Sequence, residues 1–587
     1  MRLLERLLKV AVAVLAAAHG VVFIYLCARR LTYPYDLEWM EGGMLAHALR
    51  IGQGKPIYLP PSLDFVPFLY TPLYPALLAL LGQVVGLGYV LGRVLSLASL
   101  VAALALGYRA ARHAGADPVT AAAAMAALLA GFPFCGAWYD LVRNDELFLA
   151  LAMAGLYVAV TRPTARGAVL AAALLSASYF AKQTGLGLMV AGLCVVALGN
   201  WRVAWVYALA AALLWVGGVA LLDWRAQGWF WTWVYRAHAR HPFYARRALL
   251  ETPWTLIKQA PAVWAAGLVA LAVAALRRRL SRLHVQWALA AAAGVGVACL
   301  GFGTQWAFYN AYIPGLYFPL VALAVLAGAG AVAGPGALRP WPITLALGVQ
   351  LATHFYDPRP FCPTPADRAA GAALIARIAA TPGDVLVSSH PWYPVLAGKP
   401  AFLHRMGMMD APAAGLGRPR GLDEAVAGGR FSLIILDDKV SWGHWPTLST
   451  RYCRAGTLRP GLDAPRVFSG APTIPLWLFA RRPEGARVLW AAGFRTTDPE
   501  IRHSMAEVTL SRPQVSFDLA GSRDERGCRV ELFVDDRPVR SATGPGSDLP
   551  VRIDWDVRTL VGKRARLEVS DDTRSGHLAV EEVWEVE

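Results

Sequence analysis

The pattern of apolar and polar positions divides the chain into two parts. Up to about residue 355, long runs of Ala, Leu, Val and Gly alternate with short polar stretches. A transmembrane helix needs about 20 mostly apolar residues, so the first part predicts a polytopic bundle of about 11–13 spans. The candidate spans are 8–28, 72–108, 118–135, 146–161, 167–181, 185–200, 203–222, 261–276, 285–303, 314–333 and 341–356.

The second part has the patterns of a water-soluble protein. A helical pattern over 367–380 and two short apolar strands, 383–387 and 431–436, predict an α/β unit over 357–484. Alternating stretches such as 530–534 and 565–569, separated by Gly and Asp turns, predict a β-sandwich over 485–587. We therefore expect a membrane domain over 1–356 followed by two soluble domains.

Basic residues predict the orientation of the bundle. Run 72–108 is too long for one crossing and short for two. If it makes a single net crossing, the basic clusters between short loops all lie on the side of Arg2, Arg6 and Lys9. The prediction is a multi-pass protein of the inner (plasma) membrane, with a cytoplasmic N-terminus and an extracytoplasmic C-terminal part. The exported segments are then loops 29–71 and 223–260 and the tail from 357.

The N-terminus has a second interpretation. A basic start followed by Ala16, Ala17 and Ala18 is also typical of a cleaved signal peptide. The apolar run continues to Ala28, which favours a retained first span.

Composition excludes some classes of protein. The chain is 56% hydrophobic and 16% charged, whereas soluble domains carry about 25% charged residues. The net charge of +16 follows the positive-inside distribution, so we expect membrane lipids and no nucleic acid as partners. The 7 Cys are scattered, without a C-x-x-C pair or metal-ligand spacing, and we expect no protein-built metal site.

Three carboxylates stand close together in the first exported loop: Asp36, Glu38 and Glu41. If the segment is helical, Glu38 and Glu41 share a face and Asp36 is placed as an N-cap. They can be solvated loop charges plus a cap. Like charges repel unless a cation, a substrate or a catalytic role uses them, so they are equally candidates for a catalytic base.

Two further polar groups interrupt the apolar sequence. Arg143, Asn144, Asp145 and Glu146 lie between two spans, and Lys182 breaks another apolar run. Helix capping explains Asp145 and snorkelling explains Lys182 without any function. Ionisable groups at membrane depth more often face a polar cavity, which makes both groups candidates for a functional site.

Loop 223–260 is rich in aromatic and basic residues, including Arg236, His238 and Arg240. This composition suits the membrane interface and lipid phosphates, either of bulk lipid or of a substrate. A polar turn containing Asn310 precedes a later span.

These motifs, in this order, resemble the GT-C superfamily of membrane glycosyltransferases, which use polyprenyl-phosphate-linked sugars. The resemblance covers about residues 1–356 and includes the dolichyl-phosphate-mannose–protein mannosyltransferase-like and aminoarabinose-transferase-like members. It rests on the acidic loop, the stretches 54–58 and 70–75, Arg93, Arg143-x-Asp145 and the break at 182–184. Many relatives have an Asp-Glu pair in the acidic loop, and the Asp position is Met40 here.

The resemblance implies an inverting glycosyltransferase that moves a sugar from a polyprenyl-phosphate donor to an envelope acceptor: a lipid, a glycan or a protein. It implies a base at Glu41, Glu38 or Asp36, helped by Asp145, with dependence on Mg or Mn left open. Donor phosphate would bind Lys182, Arg143, Arg236 and Arg240. The acceptor cavity would include Tyr58, Tyr70, His238 and Asn310.

The C-terminal sandwich shows a looser resemblance to β-sandwich modules of bacterial carbohydrate-active proteins, carried by 554–563, 567–571, Gly576 and His577. This module binds sugar or serves only as a structural lid. Two other functions also fit the chain: a transporter or flippase of lipid-linked substrates, and a non-catalytic scaffold in envelope assembly.

Overall fold

Apolar runs form the helices of the first part. The computed structural model describes residues 2–329, 341–437, 444–482, 485–491, 494–495, 503–524, 527–572 and 578–587. The helices up to residue 353 are α1 (Arg2–Arg30), α2 (Glu41–Gly52), α3 (Leu73–Val85), α4 (Tyr89–His113), α5 (Pro118–Ala130), α6 (Asp145–Thr161), α7 (Ala165–Ala181), α8 (Gly185–Asn200), α9 (Ala204–Arg225), α10 (Trp229–Trp231), α11 (Thr252–Gln259), α12 (Pro261–Leu276), α13 (Arg282–Gly303), α14 (Ile313–Ala329) and α15 (Trp341–Thr353). Helix α10 continues as a π-helical segment, Thr232–Ala237, and a second one, Arg247–Glu251, leads into α11.

Several of these helices are long enough to cross a bilayer. Among the described residues, five are both long and apolar enough: Leu3–Arg30, Tyr89–His113, Gly185–Arg225, Arg282–Gly303 and Tyr309–Gly328. A sixth arises if the pair of helices on either side of Ala260, bent by 99°, forms one span. The predicted membrane bundle is therefore confirmed, while its count of 11–13 spans stays a prediction. The end of predicted span 314–333 lies outside the described residues.

Run 72–108 forms two helices of unequal length. With 13 residues, α3 is about 20 Å long, which is too short for the roughly 30 Å hydrocarbon layer. Its Tyr74 hydroxyl donates to the carbonyl of Gly92 at 3.0 Å and lies 3.0 Å from Ser96 Oγ, both in the first turns of α4. Helix α3 thus packs against the first turns of α4, and of the two helices α4 is the one long and apolar enough to cross a bilayer. The single net crossing stays a prediction.

Ion pairs show which loops share an end of the bundle. At the start of α1, Lys9 lies 3.6 Å from Asp117, which precedes α5. At the end of α1, Arg30 pairs with Asp140 at 2.6 Å. The soluble part joins this second end, because Phe468 N–H donates to the carbonyl of Leu37 at 2.8 Å. The tail therefore packs on the acidic loop, as the orientation requires, and the compartment it faces stays a prediction.

The α/β unit has a four-stranded sheet in the order β1-β2-β4-β3. Strands β1 and β2 are parallel, and β4 runs antiparallel to both β2 and β3. Leu433 and Ile435 of β2 belong to the core that includes the acidic loop, whereas Ile434 and Leu436 face a second core. The elements are α16 (Pro365–Ala380), β1 (Asp384–Val387), α17 (Trp392–Leu396), α18 (Arg405–Ala413), α19 (Leu422–Ala427), β2 (Phe431–Asp437), α20 (Leu448–Arg451), β3 (Tyr452–Thr457) and β4 (Pro475–Arg481).

The remaining strands form the predicted two-sheet sandwich. Its sheets have the orders β10-β9-β12-β7 and β11-β8-β13-β5, with β6 also paired to β13. Trp490, Phe517 and Trp555 lie in the core between them. Gly576 and His577, part of the sugar-module resemblance, lie outside the described residues. The strands are β5 (Arg487–Trp490), β6 (Phe494–Arg495), β7 (His503–Thr509), β8 (Gln514–Gly521), β9 (Cys528–Val534), β10 (Arg537–Thr543), β11 (Ser547–Asp556), β12 (Arg564–Asp571) and β13 (Leu578–Val586).

Two glycines let helices of the α/β unit lie directly on the first exported loop. A Cβ at Gly371 in α16 would come within 2.0 Å of the Tyr35 ring. A Cβ at Gly407 in α18 would come within 2.4 Å of Val66. The α/β unit and the loop are therefore packed as one interior, with no room for larger side chains at these points.

We predict that Gly371→Leu loosens this contact. Overpacking of a tight interior costs about 1–3 kcal/mol, so thermal unfolding in detergent should shift to lower temperature and proteolysis between α15 and α16 should accelerate. Gly217→Leu in α9 is the matched control, because a Cβ there meets nothing within 4 Å. Equal stability of the two variants would contradict the tight packing.

Candidate active site

The first exported loop is organised by the buried guanidinium of Arg93. Arg93 projects from the second turn of α4 and is completely buried. It donates to the carbonyls of Arg30 at 3.1 Å, Tyr33 at 2.5 Å and Tyr35 at 2.7 Å. It also pairs with the Glu41 carboxylate at 2.8 Å. Loop carbonyls that would otherwise be buried without partners are thereby satisfied.

Glu41 completes this framework. Besides the Arg93 pair, its carboxylate accepts from Leu37 N–H at 2.6 Å and from Val142 N–H at 2.8 Å. These bonds connect three separate segments through one side chain. Glu41 does not line the cavity described below, so the structure favours a structural role over its predicted role as base.

Asp36 is likewise engaged away from the cavity. It accepts from Gly42 N–H at 2.9 Å and lies 2.6 Å from Nδ1 of His390, which follows β1 in the α/β unit. Burial raises the pKa of Asp36, and the contact with His390 opposes that shift. Asp36 therefore joins the loop to the soluble part.

A cavity of about 630 Å³ lies between the bundle and the α/β unit. Its charged and polar lining comes from the first two exported loops, the 182–184 break, loop 223–260, the Asn310 turn and α18. The lining includes Glu38, Trp39, Tyr70, Trp138, Arg143, Lys182, Gln183, His238, His241, Asn310, Arg405, Met409, Asp410, Ala471 and Thr473. Of the clustered carboxylates Asp36, Glu38 and Glu41, Glu38 lines this cavity.

Glu38 is held in a desolvated position. It is 1% exposed, accepts from Met40 N–H at 3.2 Å and lies 3.6 Å from Arg143. Gly470 of the soluble part covers it so closely that a Cβ there would come within 2.9 Å of Glu38 Cγ. Burial raises the pKa of Glu38 to about 8, while Arg143 opposes the shift. A carboxylate with that pKa is suited to take a proton near neutral pH.

Arg143 has capacity for an additional anion. It donates to the Tyr70 hydroxyl at 2.9 Å and stacks on the rings of Tyr70 and Trp138. Its Nε has no hydrogen-bond partner within the described residues, and its Nη1 faces the Glu38 carboxylate at 3.6 Å without forming a hydrogen bond. Buried polar groups are nearly always paired, so the unused donors point to an anionic ligand.

Asp145 fixes the second cation of the cavity. It accepts from Trp138 Nε1 at 2.9 Å, from Asn310 Nδ2 at 3.0 Å and from the ammonium of Lys182. The helix break at 182–184 is what brings Lys182 to this position. Asp145 is itself 3% exposed and does not line the cavity, so it positions Lys182 rather than contacting a ligand.

Some of the other predicted site residues line the cavity, and the rest do not. Tyr70, His238 and Asn310 line the cavity. Tyr58 lies behind it and donates to the Tyr70 carbonyl at 2.7 Å. The predicted phosphate ligands Arg236 and Arg240 are exposed and do not line it.

Sequence reasoning missed His241, Arg405 and Asp410. His241 lies in loop 223–260, whose aromatic and basic composition could have marked it as a candidate site residue. Arg405 and Asp410 belong to a short helix of the soluble part, with no motif to connect them to the membrane domain.

The described side chains do not fit a metal ion. Within the described part of the chain, no three His, Cys, Asp or Glu side chains lie together as ligands. Glu41 and Asp145 are paired with Arg93 and Lys182. Dependence on Mg or Mn therefore stays a prediction without a site to support it.

Comparisons with known proteins found solved structures similar to this chain, but no matching protein family and no matching curated protein. ArnT from Cupriavidus metallidurans bound to undecaprenyl phosphate is 14% identical over 80% of this chain and 98% of that one, with a TM-score of 0.49. The arabinosyltransferase EmbB from Mycobacterium smegmatis is 15% identical over 97% of this chain and 64% of that one, with a TM-score of 0.38.

A third structure, the Archaeoglobus fulgidus oligosaccharyltransferase in complex with Zn and sulfate, is 10% identical over 97% of this chain and 98% of that one, with a TM-score of 0.42. The predicted fold class, a membrane helix bundle followed by strand-rich soluble units, is confirmed. Function is inferred below from the cavity and its charges.

We predict that the loop-one carboxylates differ in their effect on stability. Glu41→Gln removes the charge that Arg93 requires, and breaking a buried ion pair costs about 3–5 kcal/mol. Thermal unfolding in detergent should show a large loss for Glu41→Gln and little change for Glu38→Gln. The reverse order would contradict the structural role of Glu41.

Proposed function

We propose that this protein is an inverting membrane glycosyltransferase that moves a sugar from a polyprenyl-phosphate donor to an acceptor hydroxyl. The observation that carries the proposal is that Glu38, Arg143 and Lys182 line one cavity at the end of the membrane bundle. A desolvated carboxylate and two cations are the groups required by a reaction that removes a proton and releases a phosphate.

Glu38 acts as the general base. Its carboxylate takes the proton of the acceptor hydroxyl as that oxygen forms a bond to the anomeric carbon of the sugar. The bond between the anomeric carbon and the phosphate oxygen breaks, and its electron pair leaves with the polyprenyl phosphate. Attack opposite to the leaving group inverts the anomeric configuration.

Arg143 and Lys182 stabilise the departing phosphate. Negative charge grows on the phosphate oxygen as the bond breaks, and fixed cations lower the energy of that state. The unused donors of Arg143 supply new hydrogen bonds, and Asp145 keeps Lys182 in place.

The acceptor is a lipid, a glycan or a protein of the envelope. We propose that the reaction takes place on the extracytoplasmic face of the plasma membrane, because the positive-inside rule puts loop one and the tail there. The α/β unit covers the cavity on that side.

Glu38→Gln should abolish transfer without loss of folded protein. Removal of a general base lowers rates by about 10²–10⁴-fold. The measurement is transfer of radiolabelled sugar from the polyprenyl-phosphate sugars of source-cell membranes, in proteoliposomes containing purified protein. Asp64→Asn, an exposed carboxylate of the same loop, is the matched control and should retain full activity.

Full activity of Glu38→Gln would reject Glu38 as the base. Movement of lipid-linked sugar across the bilayer by the wild-type protein, without a new glycosidic bond, would reject the transferase and identify a transporter.

The pH dependence of transfer provides a separate measurement. Only ionised Glu38 accepts a proton, and its pKa lies near 8. We therefore expect kcat/KM to rise about tenfold per pH unit below pH 8 and to level off above it. A rate independent of pH between 6 and 9 would contradict this assignment.

A further inference from the structure

A second polar cluster lies in the same cavity, contributed by loop 223–260 and by α18. It consists of His238, His241 and Asp410, and the proposed transfer step uses none of them. Asp410 is 1% exposed and His241 is 8% exposed. The cluster therefore places buried polar groups where the α/β unit closes the cavity.

The cluster has unused hydrogen-bonding capacity. His241 Nε2 and Asp410 Oδ1 approach to 3.3 Å but do not form a hydrogen bond with good geometry. Neither atom has another hydrogen-bond partner within the described part of the chain, and the same holds for His238 Nδ1. Because all three residues line the same cavity, a ligand that supplies both donors and acceptors fits them.

The charges around the cluster exclude a phosphate as that ligand. Asp410 would repel an anion, and burial raises its pKa rather than preparing it for a cation. The neighbouring cation Arg405 is paired with Asp437 at 2.8 Å. Aromatic rings also line the cavity, including Trp39, Tyr70 and Trp306. An uncharged polyhydroxyl group, with apolar faces between its hydroxyls, fits these surfaces.

We infer that His238, His241 and Asp410 form an acceptor subsite that binds the hydroxyl groups of a neutral sugar. The inference rests on the proposed transferase function and names its acceptor class: a sugar-bearing molecule. The subsite is separate from the groups assigned to the donor phosphate, because Arg143 and Lys182 come from the membrane bundle. The acceptor sugar lies between Glu38 and the α/β unit.

Sugar binding to purified protein in nanodiscs tests the subsite without requiring turnover. The probes are the methyl glycosides of glucose, galactose, mannose and arabinose, titrated by saturation-transfer difference NMR. At least one should bind the wild-type protein, and Asp410→Asn and His238→Phe should each weaken that binding by tenfold or more. His238→Phe keeps an aromatic ring against His241 and removes both ring nitrogens, so it provides a second test if Asp410→Asn misfolds. Asp64→Asn should bind like the wild type.

The binding experiment tests the subsite independently of the proposed reaction. Absence of binding for all four glycosides, or equal binding by wild type and His238→Phe, would overturn the subsite even if transfer is observed. Binding that depends on His238 and Asp410, in a protein that shows no transfer, would support the subsite and reject the transferase.

Discussion

The ion pair between Arg93 and Glu41 is the interaction on which the rest of the site depends. It lies in the interior between α4 and the first exported loop, where an unpaired charge would be strongly unfavourable. Through the same two side chains, the loop receives hydrogen bonds for its carbonyls and a connection to Val142 in the second exported loop. The segment between α1 and α2, which has no regular secondary structure, is thereby held in the position that presents Glu38 to the cavity.

The cavity shows a division of electrostatic roles. On the side of the bundle, the cavity is lined by two cations, Arg143 beside Glu38 and Lys182 paired with Asp145. On the side of α18, His241 and Asp410 offer hydrogen bonds with little net charge. Glu38 lies beside the cations, 3.6 Å from Arg143. Under the proposed function, a charged donor and an uncharged acceptor occupy different sides of this one cavity.

Much of the fold was predictable from the sequence, because it depends on local patterns. Runs of apolar residues longer than a bilayer crossing identified the helices, and period-two alternation identified strands such as Cys528–Val534. The division of 72–108 was not predictable, since it depends on Tyr74 reaching Gly92. The site residues also divide into those that the sequence could predict and those that it could not. Lys182 and Asp145 could be singled out because charges are rare in apolar sequence.

The roles of the loop-one carboxylates could not be assigned from sequence, because Asp36, Glu38 and Glu41 are chemically equivalent there. Their difference arises from partners far along the chain: Arg93 occupies Glu41, and His390 occupies Asp36. The role of Asp410 could not be predicted for the same reason, because nothing in the sequence around it indicates which surface α18 covers.

The contact of Gly470 with Glu38 has a consequence for biosynthesis. The chain is made from its N-terminus, so every membrane helix described is synthesised before the segment that covers Glu38. Until the segment that contains Gly470 has been synthesised and folded, Glu38 lacks this cover and the cavity lacks one wall. Under the proposed function, a partly synthesised chain has no desolvated base and is therefore inactive.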